Sequence, residues 1–116
     1  MSAEKYNGFT NYETWAVKLW IDNEECTANH WNRIANHVYL NEARDQKYFS
    51  KMEDATAILA DKLKEAHSES ADMHLTFAKL NNSLWADLLN ASLSEVNWHE
   101  VAECMLEGVD KRHALV

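Results

Sequence analysis

Apolar side chains recur along this chain at intervals of three and four residues, which is the spacing of one face of an α-helix. Five segments show the pattern, and capping or polar residues separate them. We therefore expect an all-α fold, a compact bundle of about five helices. The pattern indicates one helical domain over residues 1–116, with flexible ends at 1–9 and 109–116.

The first predicted helix begins at Thr10, with Glu13 three residues later to complete a capping box. Its apolar stripe is wide, which predicts a central position, and it includes Tyr12, Trp15, Ala16, Leu19 and Trp20. Asp22, Glu24 and Glu25 follow, although the partial negative charge of a helix C-terminus disfavours carboxylates. This mismatch predicts either an early end to the helix or a surface kept for a partner.

The second and third helices are marked by their starts. The second is predicted to begin after Thr27 and to run to about Arg44. The third begins at a second capping box, formed by Ser50 and Glu53. Each carries an inner stripe, built from Trp31, Ile34, Ala35 and Val38 in the second helix and Met52, Ala55, Leu59, Leu63 and Ala66 in the third.

The fourth predicted segment covers about 71–92 and is broken near 81–83, where Asn82 or Ser83 caps the second half. Its apolar residues have helical spacing and are predicted to face inward: Met73, Phe77, Leu80, Leu84, Leu88 and Ala91. The fifth helix has Asn97 as N-cap with Glu100 at the third helical position. Val96 is expected to pack on Val101, and Gly108 is expected to end the helix.

Composition supports helices and a single core. The chain has no Pro and two Gly, so the turn-rich corners of β architectures lack their usual residues. Apolar residues make up 47% of the chain, which is enough to bury a core. Two cysteines cannot build a disulfide framework, and we expect Cys26 and Cys104 to be reduced, small core residues.

The N-terminal residues and the hydropathy indicate an intracellular protein. The first ten residues lack the basic start and apolar run of a secretory signal. No stretch approaches the roughly 18 apolar residues of a membrane span. We therefore expect a cytoplasmic location, in a host bacterial cell on the resemblance described below, and no membrane partner.

The net charge of −8 is unevenly distributed. Residues 80–110 contain six acidic and no basic side chains, whereas the rest of the chain has 13 acids and 11 bases. Direct binding to a nucleic acid needs a basic surface, so we do not expect it. A protein or ribonucleoprotein with a basic surface is the expected partner.

The strongest acidic pattern lies on the fifth helix, where Glu100, Glu103, Glu107 and Asp110 recur at intervals of three, four and three. Residues at this spacing stack along one helix face, roughly 5 Å apart. Such a row can imitate the phosphates of a nucleic acid and occupy a basic groove. The alternative is an ordinary solvated helix face.

Catalytic and metal chemistry have little support in the sequence. Six histidines are present, including the pairs His30/His37 and His67/His74 and the close pair His99/Glu103, but no HExxH or paired Cys/His spacing brings three ligands together. No phosphate-binding glycine loop and no nucleophile motif occurs. We therefore predict no catalytic residue, no metal site, no cofactor and no enzymatic activity.

The five tryptophans are divided between two predicted roles. Trp15, Trp31 and Trp85 fit the apolar stripes and are expected to fill the core. Trp20 and Trp98 lie beside acidic residues near helix ends, which is typical of aromatic residues that contact a partner.

Two blocks of sequence resemble a known family. Residues 5–25 read KYNGFTNYETWAVKLWIDNEE, and residues 87–102 read DLLNASLSEVNWHEVA. These blocks are similar to the NYETW…LWIDNE start and the EVNW-containing C-terminal segment of small, mostly uncharacterised proteins of bacteriophages, prophages and other mobile elements. The resemblance covers about a third of the chain and supplies no catalytic residue. It implies an accessory protein, and it brings inhibitors of host defence into consideration.

The sequence thus predicts a non-enzymatic phage or plasmid protein that inhibits a CRISPR or restriction complex by covering its basic nucleic-acid-binding surface. The predicted contact residues are acids and two tryptophans: Trp20, Asp22, Glu24, Glu25, Trp98, Glu100, Glu103, Glu107 and Asp110. The alternative is a structural or regulatory module that assembles with itself, or with another phage protein, through exposed aromatic side chains.

Overall fold

The computed structural model describes residues 5–109, which form five α-helices and no named strand. The predicted all-α bundle is therefore confirmed. The helices are α1 (Tyr12–Asn23), α2 (Glu25–His37), α3 (Lys51–Phe77), α4 (Leu84–Ser94) and α5 (Trp98–Glu107). A π-helical turn (Val38–Glu42) extends α2, and the chain then becomes extended at Ala43.

N-cap side chains accept hydrogen bonds at the start of four of the five helices. Ser50 and Glu53 form the predicted capping box of α3, and Asn97 accepts from the backbone N–H of Glu100 at the start of α5. Ser83, one of the two caps predicted there, caps α4. The cap of α1 was misplaced by one residue, because Asn11 rather than Thr10 accepts from the N–H of Thr14. The sequence therefore locates helix starts well where a side-chain oxygen supplies the cap.

The helix lengths differ from prediction at two places. The chain turns at Glu24, so α2 starts at Glu25 instead of after Thr27. Glu24 and Glu25 therefore lie at the favourable N-terminus of α2, which resolves their expected mismatch with the end of α1. In addition, α3 continues to Phe77 without a break, so residues 71–77 belong to it and α4 begins only after the turn at 78–83.

The core lies where α2, the first half of α3 and α5 meet, and α3 and α5 form the most extensive contact. Its fully enclosed side chains include Leu59 and Leu63 of α3 and Val101 of α5. Val96 belongs to the same buried cluster as Val101, as the predicted hydrophobic staple requires. The last buried residue that the structure describes is Val109.

His67 lies between two core tryptophans, with its ring stacked on that of Trp31 and tilted relative to that of Trp98. Its ring centroid lies 5.7 Å from that of Trp31 and 5.1 Å from that of Trp98. Its Nδ1 donates to the carbonyl of Leu63 at 2.7 Å. Trp98 is therefore a core residue that joins α5 to α2 and α3.

The start of α1 is held to the start of α5 by a buried hydroxyl group. Thr14 Oγ1 donates to Asn11 Oδ1 at 2.6 Å and accepts from the backbone N–H of Asn97 at 2.9 Å. Asn11 Nδ2 also donates to the carbonyl of Glu95 at 2.7 Å. Two side chains of the first resembling block thus fix the backbone of the second.

Candidate interaction surfaces

The carboxylates of Glu103 and Glu107 are the most available acids on α5. They lie one turn apart, and both side chains are exposed. Neither makes a hydrogen bond or ion pair with another residue in 5–109. Glu100 differs, because its Oε1 accepts from the backbone N–H of Thr10 at 2.8 Å and its side chain is half-buried.

The end of α1 lies close enough to α5 to extend this acidic region. Asp22 is exposed and forms an ion pair with Lys18 at 2.5 Å. Burial raises the pKa of the Cys104 thiol; Lys18 lowers it in part, and the carboxylates of Glu107, Asp22 and Glu100 raise it further. The three carboxylates therefore all lie near the Cys104 thiol, between α1 and α5. We call Asp22, Glu100, Glu103 and Glu107 the acidic face.

The remaining predicted contact residues have different surroundings. Trp20 is 69% exposed on α1 and lies with Glu24 at a shallow depression, whereas Glu25 is exposed at the start of α2. Trp98 is only 8% exposed, so its prediction as a surface contact is wrong; it packs against His67. Asp110 lies outside the described residues. Of the predicted tryptophan contacts, Trp20 alone is exposed.

Large apolar side chains are exposed at the end of α3 and the start of α4, in residues 73–88, which we call the apolar arm. They are 51–89% exposed: Met73, Phe77, Leu84, Trp85 and Leu88. All were predicted to face inward, and that prediction is wrong. The buried residues of the arm are Leu75 and Ala86, which do not belong to the main core cluster.

Helix geometry places the exposed residues across from the buried ones. Met73 and Phe77 each lie two residues from Leu75, and Leu84 and Leu88 each lie two residues from Ala86. Two residues correspond to about 200° of rotation around a helix, so these side chains point away from the buried side. The arm thus carries apolar residues on the outer sides of two helices.

The arm was missed because periodicity shows which residues share a helix face but not whether anything covers that face. One feature of α4 could have revealed it. Its 11 residues include apolar side chains all around the helix, at Leu84, Trp85, Ala86, Leu88, Leu89, Ala91 and Leu93. A short helix that packs along one side cannot bury them all.

A groove of about 780 Å³ lies between the segment 46–57 and α5. Phe49, Met52 and Leu106 provide apolar surface there. Four carboxylates also line it, from Glu53, Asp54, Glu103 and Glu107. Sequence reasoning singled out the two α5 acids but missed the two at the start of α3, which lie some 50 positions earlier in the chain.

The histidines and cysteines considered in the sequence analysis gain little support as functional residues from the structure. Within residues 5–109, no three His, Cys, Asp or Glu side chains are grouped so that they could hold a metal ion. Cys104 is half-buried, but Cys26 is exposed, so its predicted core position is wrong. His30 and His37 both line a depression between α2 and α3, and His37 contacts Glu42 at 3.6 Å.

A family model described as a family of unknown function (DUF7249) matches residues 2–108. The chain belongs to this family. The match includes both sequence blocks and all five helices, so the acidic face, the apolar arm and the groove all lie inside the family's domain. No curated protein and no solved structure matches the chain.

Family membership assigns no activity, since the family's function is unknown. Within the part of the chain that is described, no helix has the length and apolar character needed to cross a membrane. A proposal about function must therefore rest on the acidic face, the apolar arm and the groove.

Proposed function

We propose that this chain is a non-catalytic accessory protein that works through protein–protein contact, with the apolar arm as its assembly surface. The observation that carries the proposal is the exposure of five large apolar side chains on residues 73–88. Several large apolar side chains exposed within one short segment of a chain are typical of an interaction site.

The arm supplies most of the surface that a specific interface needs. Phe77 and Trp85 each carry about 150–250 Å² of surface, so together with the three smaller aliphatic side chains the arm exposes on the order of 600 Å². A standard interface buries about 800 Å² on each partner. Because the exposed residues lie on the outer sides of α3 and α4, an interlocked contact between two arms buries more of them than a flat contact does.

The charge of the arm favours a second copy of this chain as its occupant. Residues 73–88 contain one Lys and one Asp, so their formal charge is zero, whereas the whole chain carries −8. Two copies that meet through the acidic face bring like charges together, but two copies that meet through the arm do not. Self-assembly through the arm is therefore the first proposed function.

Sedimentation equilibrium of the full chain tests this proposal. We expect a dimer whose fraction rises with protein concentration and changes little with salt, since salt screens charges rather than apolar contacts. The double variant Phe77→Ser/Trp85→Ser should remain monomeric. The control Trp20→Ser/Tyr48→Ser changes two comparably exposed aromatics and should still dimerise.

The proposal fails if the unaltered chain is monomeric throughout the accessible concentration range. It also fails if the arm variant dimerises as well as the control does. Both variants change exposed side chains, so circular dichroism should show the helix content of the unaltered chain in each.

A second candidate function is inhibition of a host defence complex, with the acidic face covering a basic nucleic-acid-binding surface. The observation that favours it is the availability of Glu103 and Glu107, whose carboxylates have no partner in residues 5–109. The resemblance to mobile-element proteins supports the choice of target, a CRISPR or restriction complex in the bacterial cytoplasm. A dimer presents two such faces.

The test of this candidate is phage or plasmid survival in a bacterium that carries both defence systems. Expression of the chain should raise survival, and Glu103→Lys/Glu107→Lys should abolish the gain. Glu65→Lys/Glu69→Lys is the matched control, because it reverses two exposed charges at the same spacing on α3. Equal protection by both variants would remove the acidic face from the mechanism.

A further inference from the structure

We propose that the groove between the segment 46–57 and α5 binds a basic peptide segment of a partner protein that carries large apolar side chains. The inference rests on the second candidate function, because it names the chemistry of the partner that contacts Glu103 and Glu107. It does not depend on the apolar arm. The argument comes from the shape, the lining and the charge of the groove.

The shape and the floor suit apolar side chains. The groove has a volume of about 780 Å³, which lies within the range of about 300–1,000 Å³ typical of ligand sites. Met52 is half-buried and presents apolar atoms at the floor, and the buried Leu106 lies beneath it. Phe49 is 57% exposed and supplies an aromatic wall that a bound apolar side chain can cover.

The rim of the groove is anionic. Carboxylates come from two elements, Glu53 and Asp54 on α3 and Glu103 and Glu107 on α5, and no described Lys or Arg lines the groove. The ammonium group of Lys51, next in the chain to the groove residues, lies instead over the ring of Tyr39, 4.7 Å from its centroid. Facing carboxylate pairs across an apolar floor are complementary to Arg and Lys side chains.

Two of the four carboxylates are held in position. Asp54 Oδ2 accepts from the backbone N–H of Arg44, and its Oδ1 accepts from Gln46 Nε2, both at 2.9 Å. Glu53 Oε1 accepts from the backbone N–H of Ser50 at 3.0 Å, and these contacts with Ser50 lower the Glu53 pKa. These hydrogen bonds therefore hold this wall of the groove in place, while Glu103 and Glu107 are free to adapt to the peptide.

The same features argue against other ligands. Phosphate groups of a nucleic acid are repelled by four carboxylates. A small cation needs several converging ligands, and no group of three that could hold a metal occurs among residues 5–109. An apolar floor with an acidic rim matches an amphipathic basic peptide, in which Arg or Lys flanks Leu or Phe.

The test uses a labelled peptide, Gly-Lys-Arg-Leu-Phe-Arg-Lys-Gly, and a peptide of equal charge with Ser in place of Leu and Phe. Fluorescence anisotropy with the full chain should show saturable binding of the first peptide and at least threefold weaker binding of the second. Glu103→Lys/Glu107→Lys should weaken the first peptide by about tenfold or more, since two attractive charge contacts become repulsive ones. Phe49→Ser should weaken it at least threefold.

Two controls separate this result from the other proposals. Glu65→Lys/Glu69→Lys makes the same change in net charge outside the groove and should retain affinity within twofold. Phe77→Ser/Trp85→Ser should bind the peptide normally, even though it disrupts the proposed dimer.

Absence of saturable binding, or equal loss in both charge-reversal variants, overturns the groove proposal. Peptide binding without protection of phage or plasmid leaves the groove in place and rejects the defence target alone.

Discussion

The core around α5 and the apolar arm are built from the same kinds of residues, but their surroundings differ. Leu59 and Leu63 are fully buried, whereas Leu84 and Leu88, at the same four-residue spacing, are more than half exposed. The first pair belongs to the core cluster that includes residues of α5, the helix with which α3 makes its largest contact. The second pair has no such neighbour in residues 5–109. Apolar periodicity therefore predicts a face, and a packing partner decides whether that face becomes core.

Truncation of one leucine in each region should give the largest contrast. Leu59→Ala removes a fully buried side chain and should lower the free energy of unfolding by about 2–5 kcal/mol. Leu88→Ala, made in the half-exposed arm, should lower it by less than about 1 kcal/mol at concentrations where the chain is monomeric. Urea unfolding followed by circular dichroism measures both. Similar losses would contradict the distinction between core and arm.

Removal of the Thr14 hydroxyl should have the next largest effect. Thr14→Val keeps the shape but leaves the Asn97 N–H without its acceptor and removes one of the two donors to Asn11 Oδ1, so we expect a loss of about 1–3 kcal/mol. Thr56→Val is the control, because its equally buried hydroxyl donates to the carbonyl of Met52 within the same helix. The control should lose less than half as much in the same urea experiment.

The helix caps provide a smaller contrast between the regions. Ser50→Ala removes the cap of α3 beside the core and should lower global stability by about 1 kcal/mol. Ser83→Ala removes the cap of α4 in the arm. Because little of α4 is packed on the core, this change should increase hydrogen exchange within residues 84–94 while leaving global unfolding nearly unchanged. A large global loss from Ser83→Ala would show that the arm is part of the cooperative core.

The α3 cap also predicts a pH effect. The contacts with Ser50 hold the Glu53 pKa below its ordinary value of 4.5. A lowered folded pKa means that the ionised carboxylate contributes stability above pH 4.5, and this contribution is lost as the pH falls through the folded pKa. NMR titration of the Glu53 carboxyl should show the low value, and Ser50→Ala should move it upward. An unchanged titration midpoint would contradict the cap's role.

The reactivity of the two thiols should differ in a way that involves no loss of stability, which makes it the smallest of these contrasts. Cys26 is exposed, whereas Cys104 is half-buried and burial raises its pKa. Because the thiolate is the reactive form, iodoacetamide at pH 8 should alkylate Cys26 well before Cys104. Mass spectrometry of the unaltered chain and of Cys26→Ser measures the order. Faster labelling of Cys104 would contradict the described packing of α5 against α1.

The sequence predicts those parts of the fold that depend on local contacts. The capping box at Ser50 and the N-cap at Asn97 depend on local contacts, and both were predicted correctly. The uninterrupted course of α3 through residues 71–77 was not predicted, because no residue there requires or forbids a helix. Local pattern therefore fixes a helix end where a capping side chain or a glycine marks it, as at Ser50, Asn97 and Gly108, and is less informative elsewhere.

The candidate surfaces depend on contacts between distant parts of the chain, and there the sequence is less informative. Spacing alone placed Glu103 and Glu107 on one exposed face. It could not bring Glu53 and Asp54 to the opposite wall of the groove, since that requires the packing of α3 on α5. Trp98 shows the converse: its acidic neighbours suggested a surface, but its contact with His67 of α3 buries it.

Hydrogen exchange of the full chain at several protein concentrations tests the central claim most directly. If a second copy covers the arm, amide protection in residues 84–94 should rise with concentration, while protection in Trp98–Glu107 stays constant. Protection of α4 that does not change with concentration, in samples that sedimentation shows to span the range from monomer to dimer, would contradict assembly through the arm.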